Sequence, residues 1–306
     1  MRVLFIGRSD SGEKNDVKIM SRLLSHKSQA SEISVCNFED IVIKISRDRT
    51  ELQINLDDSI FQVRDFNLVI VLGWSHSKVY SDIAKIIAME ASKAGVGVWN
   101  SELINARSMT KLSQLYIAAN TGAEVSKSVF SIDKNKMLRH IQELKLPVIL
   151  KDITASRGRR NYLKSGYDEV ETIFKDENST AFIAQAFVEN DSSDLRFIVA
   201  GGKVCFVMRR HSSGGTHLSN ISAGGRGEVV SLDSLEEELI KNVETLAKKF
   251  GREFCGVDYI YDIANKKYVF LEINMTPQIV NGAFVDEKIS SIINIIEKET
   301  EMEKKL

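Results

Sequence analysis

The segment that most restricts what this chain can become lies near its end. There Gly256-Val257-Asp258-Tyr259-Ile260-Tyr261 and Tyr268-Val269-Phe270-Leu271-Glu272-Ile273-Asn274 flank a polar stretch, Asp262 to Lys267. Two runs of β-branched and aromatic residues about a polar turn predict a β-hairpin. Positions facing each other in an antiparallel pair sum to a constant, so a hairpin centred on Asn265 sets Asp258 opposite Glu272. The two-residue side-chain period then puts Asn274 on the face of Glu272. Two carboxylates and an amide oxygen on one patch of sheet are costly to bury unless a cation neutralises them. A hard divalent ion such as Mg²⁺ suits the set, because it takes a few protein oxygens and completes its shell with waters and substrate phosphates. The plain alternative is a solvated sheet face with chance acids.

Upstream, Val3 to Ile6 and Leu68 to Leu72 are short apolar runs closed by Gly7 and Gly73, the pattern of strands covered on both faces. Tyr80 to Lys93 carries a helical apolar spacing that stops near Gly95, so residues 1–105 read as an α/β lobe. Helices are expected over Ser108 to Asn120 and Asp133 to Leu144, and strands around Val129, Val148 to Leu150, Phe182 to Phe187, Leu195 to Ala200 and Val204 to Met208. Gly201-Gly202 is a hairpin turn, Ser212 to Gly227 a Gly/Ser-rich loop, and Asp233 to Phe250 an amphipathic helix stopped by Gly251. Asp286 to Lys305 reads as a terminal helix running into a solvated charged tail.

Composition narrows the functional classes. The 306 residues are 43% apolar and 27% charged, with 41 Lys+Arg against 42 Asp+Glu, which describes a globular chain with no basic excess for general nucleic-acid binding. No apolar run approaches a membrane span, and the opening MRVLFIG reads as a first strand, not a signal peptide. Cys36, Cys205 and Cys255 are odd in number and far apart, which fits a reducing cytoplasm.

V-D-Y-I-Y followed by V-F-L-E-I-N-M-T-P resembles the closing signature of the ATP-grasp ligases, in particular the RimK-like branch that includes the ribosomal-protein glutamate ligase. The resemblance implies a three-lobed fold, α/β with an α+β C-terminal half. Its lobes would span 1–105, 106–182 and 183–306, with ATP between the last two. It implies that Asp258, Glu272 and Asn274 hold Mg²⁺, or Mn²⁺ in its place, on the ATP phosphates. Further matches run in order from about residue 100 to 282. S-M-T-K-L sets Lys111, and P-V-I-L-K sets Lys151, at lysines that contact nucleotide. F-I-A-Q-A-F-V sets Gln185, Ala186 and Phe187 on the hinge strand whose backbone reads adenine. D-L-R brings Asp194 to the nucleotide and Arg196 to the phosphate or substrate side, and Met208-Arg209-Arg210 ends in the phosphate-facing Arg210. L-S-N-I-S-A-G-G gives Asn220 to the phosphates, and the loop from Thr154 to Arg160, with Ser156 and Gly158, matches the lid over them.

Such a set serves phosphoryl transfer, in which point charges and positioning do most of the chemistry. The family joins a carboxylate to an amine through an acyl phosphate and needs no nucleophilic side chain. The expected partners are therefore an acid and an amine acceptor, either an amino acid or a peptide or protein terminus, with no nucleic acid or membrane. Homo-oligomers are common in the family. Two departures stand out: Leu218 replaces a family arginine and Ala186 a family acid. The runner-up functions are a peptide-modifying ligase forming ester or amide crosslinks and a nucleotide-binding protein without ligase activity. Gly7 to Lys14 fails as a phosphate loop because Glu13 stands where lysine is required, and no G-x-G-x-x-G supports a dinucleotide enzyme. His76, His211 and His217 lack metal-ligand spacing.

Overall fold

The computed structural model describes residues 1–8, 16–28, 31–47, 50–74, 77–105, 110–153, 160–176, 181–212, 226–275, 277, 279–280 and 282–303. Strand β1 (Arg2–Gly7), helix α1 (Asp16–Lys27) and strand β2 (Glu32–Asn37) open the chain. Strands β3 (Ile41–Ile45), β4 (Thr50–Leu56) and β5 (Ser59–Gln62) form a small antiparallel sheet. Strand β6 (Leu68–Val71), helix α2 (Lys78–Lys93) and strand β7 (Gly97–Trp99) complete a parallel sheet ordered β2-β1-β6-β7. The unbroken apolar run of β1 follows from its burial on both faces. Val3 and Phe5 meet Val17, Met20 and Leu24 of α1, whereas Leu4 and Ile6 meet Ala84, Ile87 and Ala88 of α2. Gly7 is needed for this packing, since a Cβ there would lie 2.0 Å from a Val17 methyl. The rest of the phosphate-loop lookalike, Ser9 to Lys14, lies outside the described residues.

The next sheet is antiparallel. Helix α3 (Lys111–Asn120) precedes strand β8 (Ser128–Phe130), helix α4 (Lys134–Ile141), strands β9 (Val148–Asp152) and β10 (Asn161–Lys164), helix α5 (Tyr167–Asp176) and strand β11 (Phe182–Ala186). The strands order as β10-β9-β11-β8. Val148, Leu150, Phe182 and Ala184 pack on Met137, Ile141, Val170 and Phe174 of α4 and α5. The strand period therefore turns Ile149, Lys151, Ile183 and Gln185 to the opposite face.

Strands β12 (Ser193–Ala200), β13 (Lys203–His211) and β14 (Arg226–Val229), helix α6 (Glu237–Phe250), strands β15 (Cys255–Asp262) and β16 (Lys267–Asn274) and helix α7 (Val285–Glu303) make the last part. The sheet runs β14-β13-β12-β15-β16 and is antiparallel throughout. One face buries Leu195, Phe197, Val257 and Tyr259 against Leu239, Val243, Leu246 and Phe250 of α6. The other packs Ile198, Ala200 and Phe206 onto α7. The expected terminal helix is present, but as far as it is described it is a core helix and not a solvated one: Ile289, Ile292, Ile293 and Ile296 are all buried. Their helical spacing places four isoleucines on one face, which outweighs the charged residues between them.

The hairpin closes at Asp262 opposite Lys267, so its turn is centred between Ala264 and Asn265, ahead of the predicted centre. A β-bulge between Tyr259 and Asp258 then inserts Leu271 and restores Asp258 to its place opposite Glu272. The bulge also flips parity. Phe270 and Ile273 both point into the α6 core, leaving Glu272 and Asn274 on the other face.

Candidate functional site

Adjacent strands bring the predicted residues into register. Asp194 on β12 pairs with Arg210 on β13, Arg196 on β12 with Asp258 on β15, and Asp258 with Glu272 on β16. All of them share the face of the sheet whose far end is covered by α7. Arg210 Nε and Nη2 donate to the two oxygens of Asp194, each at 2.6 Å, and Nη2 also lies 3.1 Å from Asp258 Oδ2. Arg196 makes the same two-pronged contact with Asp258, its Nε to Oδ1 and its Nη2 to Oδ2 at 2.6 Å. The result is an alternating row, Asp194, Arg210, Asp258, Arg196, and all four are buried. Gly256 makes room for it: a Cβ there would lie 3.1 Å from Arg196 Cδ and 3.4 Å from Pro277 Cβ.

Charge order in the row sets the protonation. Burial and the neighbouring Asp258 raise the Asp194 carboxyl to about 6, against the opposing pull of Arg210. Burial also works against ionised Asp258, but the two guanidinia outweigh it and hold that group below the usual carboxylate range. Arg196 and Arg210 thus supply part of the positive charge that a buried Asp258 requires.

Asn274 Nδ2 donates to Asp258 Oδ2 at 3.2 Å and to Glu272 Oε1 at 3.1 Å, so both carboxylates converge on one amide group. Among the described residues no three His, Cys, Asp or Glu side chains form a ready-made metal cage. The donor set nevertheless fits a hard divalent cation: two carboxylates and an amide that presents oxygen when turned over, with the remaining positions left to water and phosphate.

Two lysines face this patch from the neighbouring sheet and helix. Lys151, on the inward face of β9, is pushed down to about 8 by burial, with Glu272 opposing the shift and Lys111 adding to it. Lys111, at the start of α3, is lowered by burial against the pull of Glu272 and Asp152, and its Nζ donates to the Asp152 carbonyl at 3.2 Å. Gln185 shares the face of Lys151 and donates from Nε2 to Ser128 Oγ at 3.0 Å. On the hinge segment the Ala186 N–H is bonded to the Lys127 carbonyl at 2.9 Å and the Phe187 N–H to the Pro147 carbonyl at 3.1 Å. Of the pair expected to read adenine, the Phe187 carbonyl has no backbone partner among the described residues. Ser156, Gly158 and Asn220 lie outside the described residues, as do Leu218, His76 and His217. Of the lid-loop arginines, Arg160 is described, and its Nη1 lies 2.7 Å from Asp152 Oδ2. His211 lies beside Glu228 at 3.7 Å.

Several buried groups near the site escaped the sequence reading. Lys288 of α7 is 1% exposed and is pushed down to about 8 by burial and by Arg196. Its signal was its place in the row Lys288, Ile292, Ile296 at four-residue spacing. Arg252 and Glu102, both 1% exposed, pair across 150 positions at 2.9 Å. No local pattern announces such a long-range pair.

Comparison with known proteins follows the same lines. A family model described as the RimK-like ATP-grasp domain matches residues 106–298. A probable alpha-L-glutamate ligase 2 of Pseudoalteromonas atlantica is 26% identical over 205 residues, covering 65% of this chain and 66% of that protein. A probable alpha-L-glutamate ligase of Psychromonas ingrahamii is 27% identical over 182 residues, 58% of this chain and 59% of that protein. This chain thus spans somewhat less than two thirds of the length of these relatives. Among solved structures, the ATP-grasp ligase PsnB complexed with a phosphomimetic variant of minimal precursor, Mg and ADP superposes with a TM-score of 0.71 at 15% identity, covering 97% of this chain and 98% of that one. The macrocyclase MdnC of Microcystis aeruginosa, bound with the precursor peptide MdnA, gives 0.67 at 13% identity, covering 97% and 100%. These likenesses establish the ATP-grasp fold, and the family match over most of the chain establishes the lineage: the chain belongs to the RimK-like ATP-grasp family.

Proposed function

We propose that the protein is an ATP- and Mg²⁺-dependent ligase that joins a carboxylate to an amine through an acyl phosphate, with lobes divided near residues 105 and 182. The observation that carries this is the convergence of Asp258, Glu272 and Asn274 with Lys111, Lys151, Arg196 and Arg210, on opposed elements of two sheets. Bound Mg²⁺ would be held by Asp258, Glu272 and Asn274 and would neutralise charge on the phosphates. Lys151, Lys111, Arg210 and Arg196 supply positive charges where charge spreads over the transferred phosphoryl. A substrate carboxylate oxygen attacks the γ-phosphorus as the bond to ADP breaks. The amine then attacks the acyl carbon, loses a proton, and phosphate departs.

Acid- and amine-dependent release of ADP tests this, with Glu272→Gln expected to abolish turnover while leaving the fold intact. Undiminished activity in that variant would refute the metal assignment. A peptide acceptor is favoured as a second reading by one observation: structures complexed with precursor peptides, such as PsnB, align over nearly the whole chain, including residues 1–105, where no family motif was found. ATP binding without turnover across amino acids and peptides would instead support a nucleotide-binding protein without ligase activity, a reading that the intact row of arginines and carboxylates disfavours.

A further inference from the structure

β16 is an edge strand of its sheet, and on its outer side the Phe270 N–H bonds the Glu124 carbonyl at 2.8 Å, after which the outward groups nearer its end need other partners. At Ile273, the residue between Glu272 and Asn274, side chains from two other parts of the chain fill that need. Gln114 of α3 accepts the Ile273 N–H on its Oε1 at 3.2 Å, and Arg252 donates from Nη1 to the Ile273 carbonyl at 2.8 Å.

Arg252 is itself held from several directions. Its backbone is fixed by the end of α6, where Gly251 adopts φ 66 and the Arg252 N–H bonds back to the Ala247 carbonyl at 2.8 Å. Its Nε donates to Glu102 Oε1 at 2.9 Å, and its guanidinium lies 5.7 Å from the centre of the Phe250 ring. Glu102 belongs to a segment zipped to the same turn. The Glu102 N–H bonds the Gly251 carbonyl at 2.9 Å, Glu253 Oε2 accepts the N–H groups of Asn100 and Ser101 at 2.8 Å each, and the Phe254 N–H bonds Asn100 Oδ1 at 3.0 Å. A Cβ on Gly251 would lie 2.8 Å from the Glu102 nitrogen, so this junction admits nothing larger than glycine.

We propose that Gln114 and Arg252 are positioning residues that clamp the two peptide units on either side of Ile273 and thereby set Glu272 and Asn274 at the spacing a divalent cation requires. The inference rests on the reading of those two residues as cation ligands. It adds that their geometry is imposed by the segments around residues 102 and 114 and not by the hairpin alone. Supporting contacts of this kind commonly change metal affinity about 10- to 100-fold when removed. A guanidinium fork is needed at 252 because one side chain must bond Glu102 and Ile273 at once, which a lysine ammonium at the end of a shorter reach does not reproduce.

The test is the thermal stabilisation of the full chain by ADP, titrated with MgCl₂, in wild type, Gln114→Leu, Arg252→Lys and Glu272→Gln. Gln114 is only partly buried, so Gln114→Leu keeps the experiment decisive should Arg252→Lys fail to fold. The Mg²⁺ midpoint is expected to rise about tenfold or more in Gln114→Leu and in folded Arg252→Lys, over and above the lower melting temperature without ligand that an unpaired Ile273 N–H brings. Lower melting temperatures with an unaltered Mg²⁺ midpoint would assign both residues a purely structural role and overturn the proposal. A wild type insensitive to Mg²⁺ would overturn the cation reading and this proposal with it. A midpoint altered by Glu272→Gln but not by Gln114→Leu would overturn this proposal alone.

Discussion

Replacing Arg210 by methionine tests the alternating row directly. The substitution keeps an unbranched apolar stem but removes the guanidinium that holds both oxygens of Asp194 at 2.6 Å. Asp258 retains Arg196, so the group left stranded is Asp194, which is 6% exposed. Removing one partner of a buried pair costs about 3–5 kcal/mol, a large share of the roughly 5–15 kcal/mol by which a folded domain is stable. The loss has a pH signature. With a folded value near 6 against an ordinary 3.8, Asp194 binds more protons in the native than in the unfolded state between those limits, so its contribution falls as pH rises through them. Without Arg210 the folded value rises further and the window extends upward. Urea unfolding at pH 5 and pH 7.5 should therefore show a smaller deficit at the lower pH. The double variant Asp194→Asn/Arg210→Gln should recover most of the stability, because no buried charge is left unpaired, yet remain without turnover. A deficit below about 1 kcal/mol, or one independent of pH, would refute the buried-pair reasoning.

Other consequences are as direct. Lys151 has a folded value near 8 against 10.5, so the native state binds fewer protons than the unfolded one between them and its contribution to stability rises with pH across that window. Nucleotide phosphates favour its charged form, so ATP binding at pH 8 to 9 should take up a proton. Calorimetry in two buffers of different ionisation enthalpy should detect the uptake in wild type and not in Lys151→Met. In α7, Ile292→Ala should cost about 2–5 kcal/mol in urea unfolding. A cost near zero would return that helix to the status of a solvated tail. Gly256→Ala puts a methyl 3.1 Å from Arg196 Cδ, so it should displace that side chain and lower turnover more than stability. Unchanged kinetics would show that Arg196 has slack on that side.

How far the sequence revealed the site depends on how local each signal is. The facing of Asp258 and Glu272 was legible because a hairpin is a local object and its pairing follows from simple addition. It came out correctly even though the turn and the bulge each displaced it, in opposite senses. Asp194, Arg196 and Arg210 were legible only through family resemblance. Nothing in their spacing says that β12 lies between β13 and β15, the order that creates the row. The β3-β4-β5 sheet, the burial of Lys288 and the Arg252 clamp were missed. The clamp depends on contacts across 150 and 21 positions, and no periodicity encodes those. The terminal helix was legible, but its burial was not, because the charged residues between its isoleucines suggest a solvated segment.

The central claim is that the charged sheet face activates a carboxylate with ATP. The measurement that reaches it most directly is ADP release by the purified protein with ATP and Mg²⁺ across a panel of amino acids and short peptides, run beside Glu272→Gln. Release that requires both an acid and an amine, and that vanishes in Glu272→Gln, is the predicted result. Tight ATP binding with no ADP formed from any pair, or turnover undiminished in the variant, would contradict it.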